Sequence, residues 1–111
     1  MTNGSEAERL ARTESLFREV NERIAESAAR FDADEAEFVC ECADPACAHR
    51  VEATLEEYEE VRSDGATFLL AQGHADSRIE AVVEREPGHD VVEKRHPAAA
   101  RLVRMLNPRA A

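Results

Sequence analysis

Three cysteines fall within eight positions, at Cys40, Cys42 and Cys47, and the chain has no other. Thiols scattered through a core have no reason to bunch, whereas thiolates that bind one cation must converge. The cluster therefore predicts a metal centre around which the rest of the fold has to close. The surrounding sequence shows why such a centre is needed. Leu, Ile, Val and Phe occupy 22 of the 111 positions, with no Trp and a single Tyr, so few large side chains can fix a core. A structural zinc ion contributes on the order of 10 kcal/mol, comparable to the net stability of a whole domain.

On a strand, residues two apart face the same way, so Cys40 and Cys42 are expected to present their sulfurs together while a bend at Asp44-Pro45 returns Cys47 to them. Sulfur-rich sets favour zinc. The fourth ligand is expected from a histidine. His49 lies two residues past Cys47, and His74 follows Gly73, where a tight turn is free to form; both stay open as candidates. His89 and His96 are expected to be solvated or hydrogen-bonded side chains. Three thiolates and Zn²⁺ leave a charge of about −1, which a cation beside the ligands would ease, and Arg50 is the nearest in sequence.

Residues 5–31 read as a long helix opened by a capping box, Ser5-Glu6-Ala7-Glu8. Glu8–Arg12, Glu14–Arg18, Glu19–Arg23 and Glu26–Arg30 stack at i,i+4 as solvated pairs. Leu10, Phe17, Ile24 and Phe31 recur every seven residues with Val20 between, a narrow apolar seam that either packs on the rest of the chain or takes a second helix, from a homodimer or another protein. Strands are expected at 37–41, 50–53, 67–71 and 89–94. A second capping box at Thr54-Leu55-Glu56-Glu57 opens a helix that stops at Gly65, and Pro97 to Leu106 reads as a basic helix. Residues 77–86 are read as a helix from a third capping box, Ser77-Arg78-Ile79-Glu80, with a hairpin across Pro87-Gly88 as the competing reading.

The net charge is −10, although residues 95–111 hold four arginines and no acid. An acidic body repels a phosphate backbone, so nucleic acid is not expected as a partner. Residues 1–8 carry neither a basic segment nor an apolar run, and no stretch approaches the roughly 20 apolar residues of a membrane span, so no membrane association and a cytoplasmic location are expected. There three cysteines suit a metal better than a disulfide framework. No H-E-x-x-H, phosphate-binding glycine loop or G-x-S-x-G appears, and three thiolates would quench the Lewis acidity a catalytic zinc needs, so no enzyme is expected.

The run Phe38-Val39-Cys40-Glu41-Cys42, then Cys47, Glu57-Tyr58-Glu59-Glu60-Val61-Arg62, Phe68-Leu69-Leu70, Gly73-His74 and Val91-Val92-Glu93-Lys94 resembles an uncharacterised family of small actinobacterial proteins. The resemblance covers about residues 5 to 94 and implies His74 as the fourth ligand. The family's Pro-Gly-His-Glu segment reads Gln72-Gly73-His74-Ala75 here, so the departures flank the histidine but spare it.

The expected architecture is α+β: one small sheet of about four strands with a zinc knuckle on its first hairpin, two or three short helices and the long N-terminal helix. The divisions are an unstructured start at 1–4, the helix at 5–31, a zinc-stabilised domain at 36–94 and a basic tail at 95–111. The expected function is a structural zinc site in a protein-binding or regulatory module, with a thiol-based redox or metal sensor, in which oxidation expels the zinc, as the alternative.

Overall fold

In a computed structural model, which describes residues 2–109, the chain is α+β with three helices and two small antiparallel sheets. The elements are α1 (Gly4–Arg30), β1 (Glu35–Val39), β2 (Arg50–Thr54), α2 (Leu55–Arg62), β3 (Thr67–Leu70), β4 (Glu80–Arg85), β5 (Asp90–Lys94) and α3 (Pro97–Met105). One sheet pairs β1 with β2; the other has the order β3-β5-β4. The single four-stranded sheet expected from the sequence is thus two sheets. The expected start at 1–4 and tail to 111 reach Met1, Ala110 and Ala111, which lie outside the described residues.

The helix expected at 77–86 is instead the strand β4, paired antiparallel with β5, with a register shift between Val82 and Glu84. The apparent capping box fails because the Glu80 side chain has another use. Its Oε2 accepts from the backbone N–H of Asp76 and its Oε1 from Lys94 Nζ, at 2.8 and 2.6 Å. The capping box at α2 does form, with Thr54 and Glu57 satisfying each other's backbone amides. At α1 the cap is two residues earlier than Ser5: Asn3 Oδ1 accepts from Glu6 N at 2.8 Å.

The 27 residues of α1 lie against α3, β1 and α2 and reach the second sheet through Glu14 and Arg18, yet the buried stripe is not the apolar seam. It comprises Ala7, Leu10, Ala11, Glu14, Ser15, Arg18, Asn21 and Ala25, roughly a quarter-turn round the helix from the seam's centre. Of the seam, Leu10 is buried, Phe17 and Ile24 are half-buried, and Val20 and Phe31 are exposed. Nor do Glu14 and Arg18 form a solvated pair. Arg18 is fully buried and donates to the carbonyls of Gly65 and Val103, each at 2.7 Å, while Glu14 pairs with Lys94. Lys94 and Arg18 both lie over the Phe68 ring, 3.9 and 4.5 Å from its centroid. These long side chains fill core volume that a chain short of large hydrophobes leaves open. Phe38 stacks on Tyr58 at 4.5 Å between the first sheet and α2.

Candidate metal centre

The chain leaves β1 at Val39 and does not rejoin β2 until Arg50, so all three cysteines lie in the connecting loop rather than on paired strands. Two turns shape that loop. Asp44 Oδ1 accepts from Ala46 N at 2.9 Å and its carbonyl accepts from Cys47 N at 3.0 Å, which folds Cys47 back. The Cys40 N–H donates to the His49 carbonyl at 3.1 Å and closes the base.

His74 arrives from the other sheet, in the connection from β3 to β4. Ala71 to His74 form a turn closed by His74 N donating to the Ala71 carbonyl at 3.2 Å, and Gly73 adopts φ +80°, a conformation that penalises any side chain. The Gly73 N–H donates to Asp90 Oδ2 at 3.0 Å, anchoring the turn to β5. Farther along, Arg78 bridges Asp76 and Glu6 of α1.

One ligand atom from each of Cys40, Cys42, Cys47 and His74 lies within 4.8 Å of every other, an arrangement that could hold a metal ion. His74 Nδ1 is 3.6 Å from Cys40 Sγ and 3.7 Å from Cys47 Sγ. Two ligands at zinc–sulfur and zinc–nitrogen bond lengths in a tetrahedron stand about 3.6 Å apart. The two His74 edges match that spacing, and the four groups lie close enough together to hold one ion. Cys40 and Cys42 are buried, whereas Cys47 and His74 are half-buried. Because His74 lies in the connection from β3 to β4, the cluster brings together loops of the two sheets, with three of its four groups in the β1–β2 connection.

Each sulfur also has a backbone partner that favours its charged form: Ala71 N–H for Cys40, at 3.1 Å, and the backbone of Asp44 and of His49 for Cys42 and Cys47. These amides take the part assigned to Arg50 in the sequence. Arg50 itself is exposed and points along the first sheet to Glu37, 3.8 Å away. The neighbouring Cys40 and Cys42 sulfurs act on each other, lowering the Cys42 thiol and raising Cys40, with burial adding to the Cys40 rise.

His49, the other candidate fourth ligand, is exposed, and its ring stands edge-on to His74 with centroids 4.5 Å apart and planes at 75°. His89 is buried, and His96 caps α3 by accepting from Ala98 N at 3.2 Å.

Glu41 is the positioning residue that the sequence reading missed. It is fully buried between the two buried cysteines, accepts from Leu69 N at 2.9 Å and from Asn21 Nδ2 at 2.7 Å, and its own N–H donates to the Leu69 carbonyl at 2.9 Å. Its carboxyl is raised by burial, against the pull of those donors and of Arg62 and Arg18. The alternation that puts Cys40 and Cys42 on one side puts Glu41 on the other, and that signal was present in the sequence. No family model, curated protein or solved structure matches the chain.

Proposed function

We propose that the chain is a small zinc-binding protein in which Cys40, Cys42, Cys47 and His74 hold one structural zinc. The observation that carries this reading is the convergence of three sulfurs and one imidazole nitrogen within 4.8 Å of one another, with His74 Nδ1 3.6 and 3.7 Å from the Cys40 and Cys47 sulfurs. Four protein ligands leave no open position for substrate, and three thiolates weaken the ion as a Lewis acid, so the centre serves architecture rather than catalysis. Zinc would tie the loop after β1 to the loop after β3. The chain then acts as a cytoplasmic protein-binding or regulatory module, and the exposed part of the α1 seam, Val20 and Phe31 with Phe17 and Ile24 beside them, is where a protein partner or second copy would dock.

Elemental analysis of protein purified under reducing conditions without a metal-affinity tag tests the zinc reading. One zinc per chain, lost in Cys40→Ser and Cys42→Ser, is the expected result; a folded wild-type protein with no metal overturns it.

A second reading is favoured by one observation. Cys47 lines an open surface hollow with Asp44, Ala46, Ala48, His49 and His74, so an oxidant can reach one ligand sulfur. In a redox sensor, peroxide would oxidise that thiolate and expel the zinc. Peroxide treatment that leaves metal content unchanged counts against this reading.

A further inference from the structure

We propose that His49 is a relay ligand, replacing His74 at the metal during the step in which the ion enters or leaves. The inference rests on the zinc reading above and concerns how the same site exchanges its ion. Two imidazoles flank one set of three sulfurs, their rings in edge contact at 4.5 Å, and only one of them completes the tetrahedron. The main chain of His49 is part of the site's frame, its carbonyl accepting from Cys40 N at 3.1 Å and its backbone serving the Cys47 sulfur. Its position beside the cluster is therefore fixed while its exposed side chain is free to turn.

The surroundings distinguish the two histidines. His74 is half-buried on a turn held at Gly73 by Asp90 and farther along by Glu80 and Glu6. Both histidines line the hollow through which an incoming donor would reach the ion, but His49 is exposed where His74 is half-buried. As one histidine nitrogen leaves, the other binds. An imidazole binds a metal as a neutral ligand, so one metal–nitrogen bond breaks, one forms, and the charge of about −1 at the centre is unchanged. With His49 taking the place of His74, three sulfurs and one imidazole would still hold the ion nearer the exposed side, which would ease its transfer to a thiol- or nitrogen-donor molecule.

The test uses zinc and cobalt with the full chain. Wild-type protein that binds neither ion refutes the zinc reading itself. If wild type binds, zinc transfer to a chromophoric chelator is timed for wild type and His49→Ala, which keeps all four resting ligands and alters only an exposed side chain. Transfer several-fold slower at unchanged affinity is expected. Cobalt spectra of His74→Ala and of His49→Ala/His74→Ala then ask whether His49 can bind. The single variant should keep the tetrahedral bands of a nitrogen-completed site, and the double variant should lose them. Transfer from His49→Ala as fast as wild type or faster, or identical spectra for the two His74 variants, overturns the proposal.

Discussion

The carboxylate of Glu41 and the backbone of Leu69 hold each other twice, through Leu69 N to Glu41 Oε1 and Glu41 N to the Leu69 carbonyl, both at 2.9 Å. This pair fastens the cysteine loop to β3, whose far end leads into the turn that presents His74. Glu41→Ala leaves the Leu69 amide and Asn21 without their buried acceptor and is expected to cost about 2 to 4 kcal/mol. Zinc affinity should fall by about 10- to 100-fold, because the loops that carry the ligands lose their common anchor. Urea unfolding of the metal-loaded protein and competition with a zinc chelator check the two parts.

Metal removal gives the second prediction. If zinc binds only the folded chain, free zinc at a thousand times its dissociation constant stabilises by about 4 kcal/mol, a rise in unfolding midpoint of roughly 15 to 30 °C. Thermal unfolding with and without a chelator, under reducing conditions, should show that gap. Cys40→Ser should unfold at the chelated midpoint whether or not zinc is added.

The enclosed carboxylates near Lys94 predict a pH dependence. Glu14 and Glu80 both pair with Lys94, and all three side chains have no exposure. Burial raises the Glu14 carboxyl well above its ordinary value, with Lys94 opposing and Glu80 reinforcing the rise. A carboxyl raised in the folded state stabilises fully below its unfolded value, near 4.5, and that stability is lost as the pH climbs through the folded value. Glu14→Gln has no proton to lose, so its stability relative to wild type should improve as the pH is raised from about 4.5. Comparing the two proteins at equal zinc removes the ligands' own titration. Lys94→Met, which leaves two carboxylates facing each other, should cost about 3 to 5 kcal/mol at neutral pH.

The start of α1 offers a discriminating pair of substitutions. Asn3→Ala should lose about 1 kcal/mol, since its side chain caps Glu6 N. Ser5→Ala, at a position inside the helix, should stay within about 0.5 kcal/mol of wild type. Equal losses at both positions would contradict the cap seen here.

At Gly73 the backbone sits at φ +80° with open space where a Cβ would lie, so Gly73→Ala meets backbone strain rather than a clash. A cost of about 1 kcal/mol is expected, with weaker zinc binding because the strain falls on the turn that carries His74. Chelator competition should show the affinity loss even where the unfolding midpoint changes little.

Local signals in the chain were enough for the elements whose stabilising contacts are themselves local. The capping box at Thr54 and the Pro97 start of α3 are satisfied within a few residues, and both stand where the spacing put them. The cysteine spacing likewise announced convergence, because sulfurs that close in sequence need only a turn to meet. What failed were inferences in which a side chain's partner lay far along the chain. Ser77 to Glu80 had the letters of a cap, but Lys94 claims the Glu80 carboxylate and pairing with β5 makes the segment a strand.

The sequence alone determined an α+β chain with a long helix and a sulfur cluster, since periodicity, caps and cysteine spacing act over one or two turns of chain. Tertiary structure decided which face of α1 is buried. A polar stripe of Glu14, Arg18 and Asn21 lies inward because Lys94, the carbonyls of Gly65 and Val103, and Glu41 are there to satisfy it. It also brought His74, rather than His49, into line with the three sulfurs. That choice depends on where the turn after β3 lands relative to the loop after β1. The distance between two loops is set by the packing of the sheets that carry them, and no spacing in the chain encodes it.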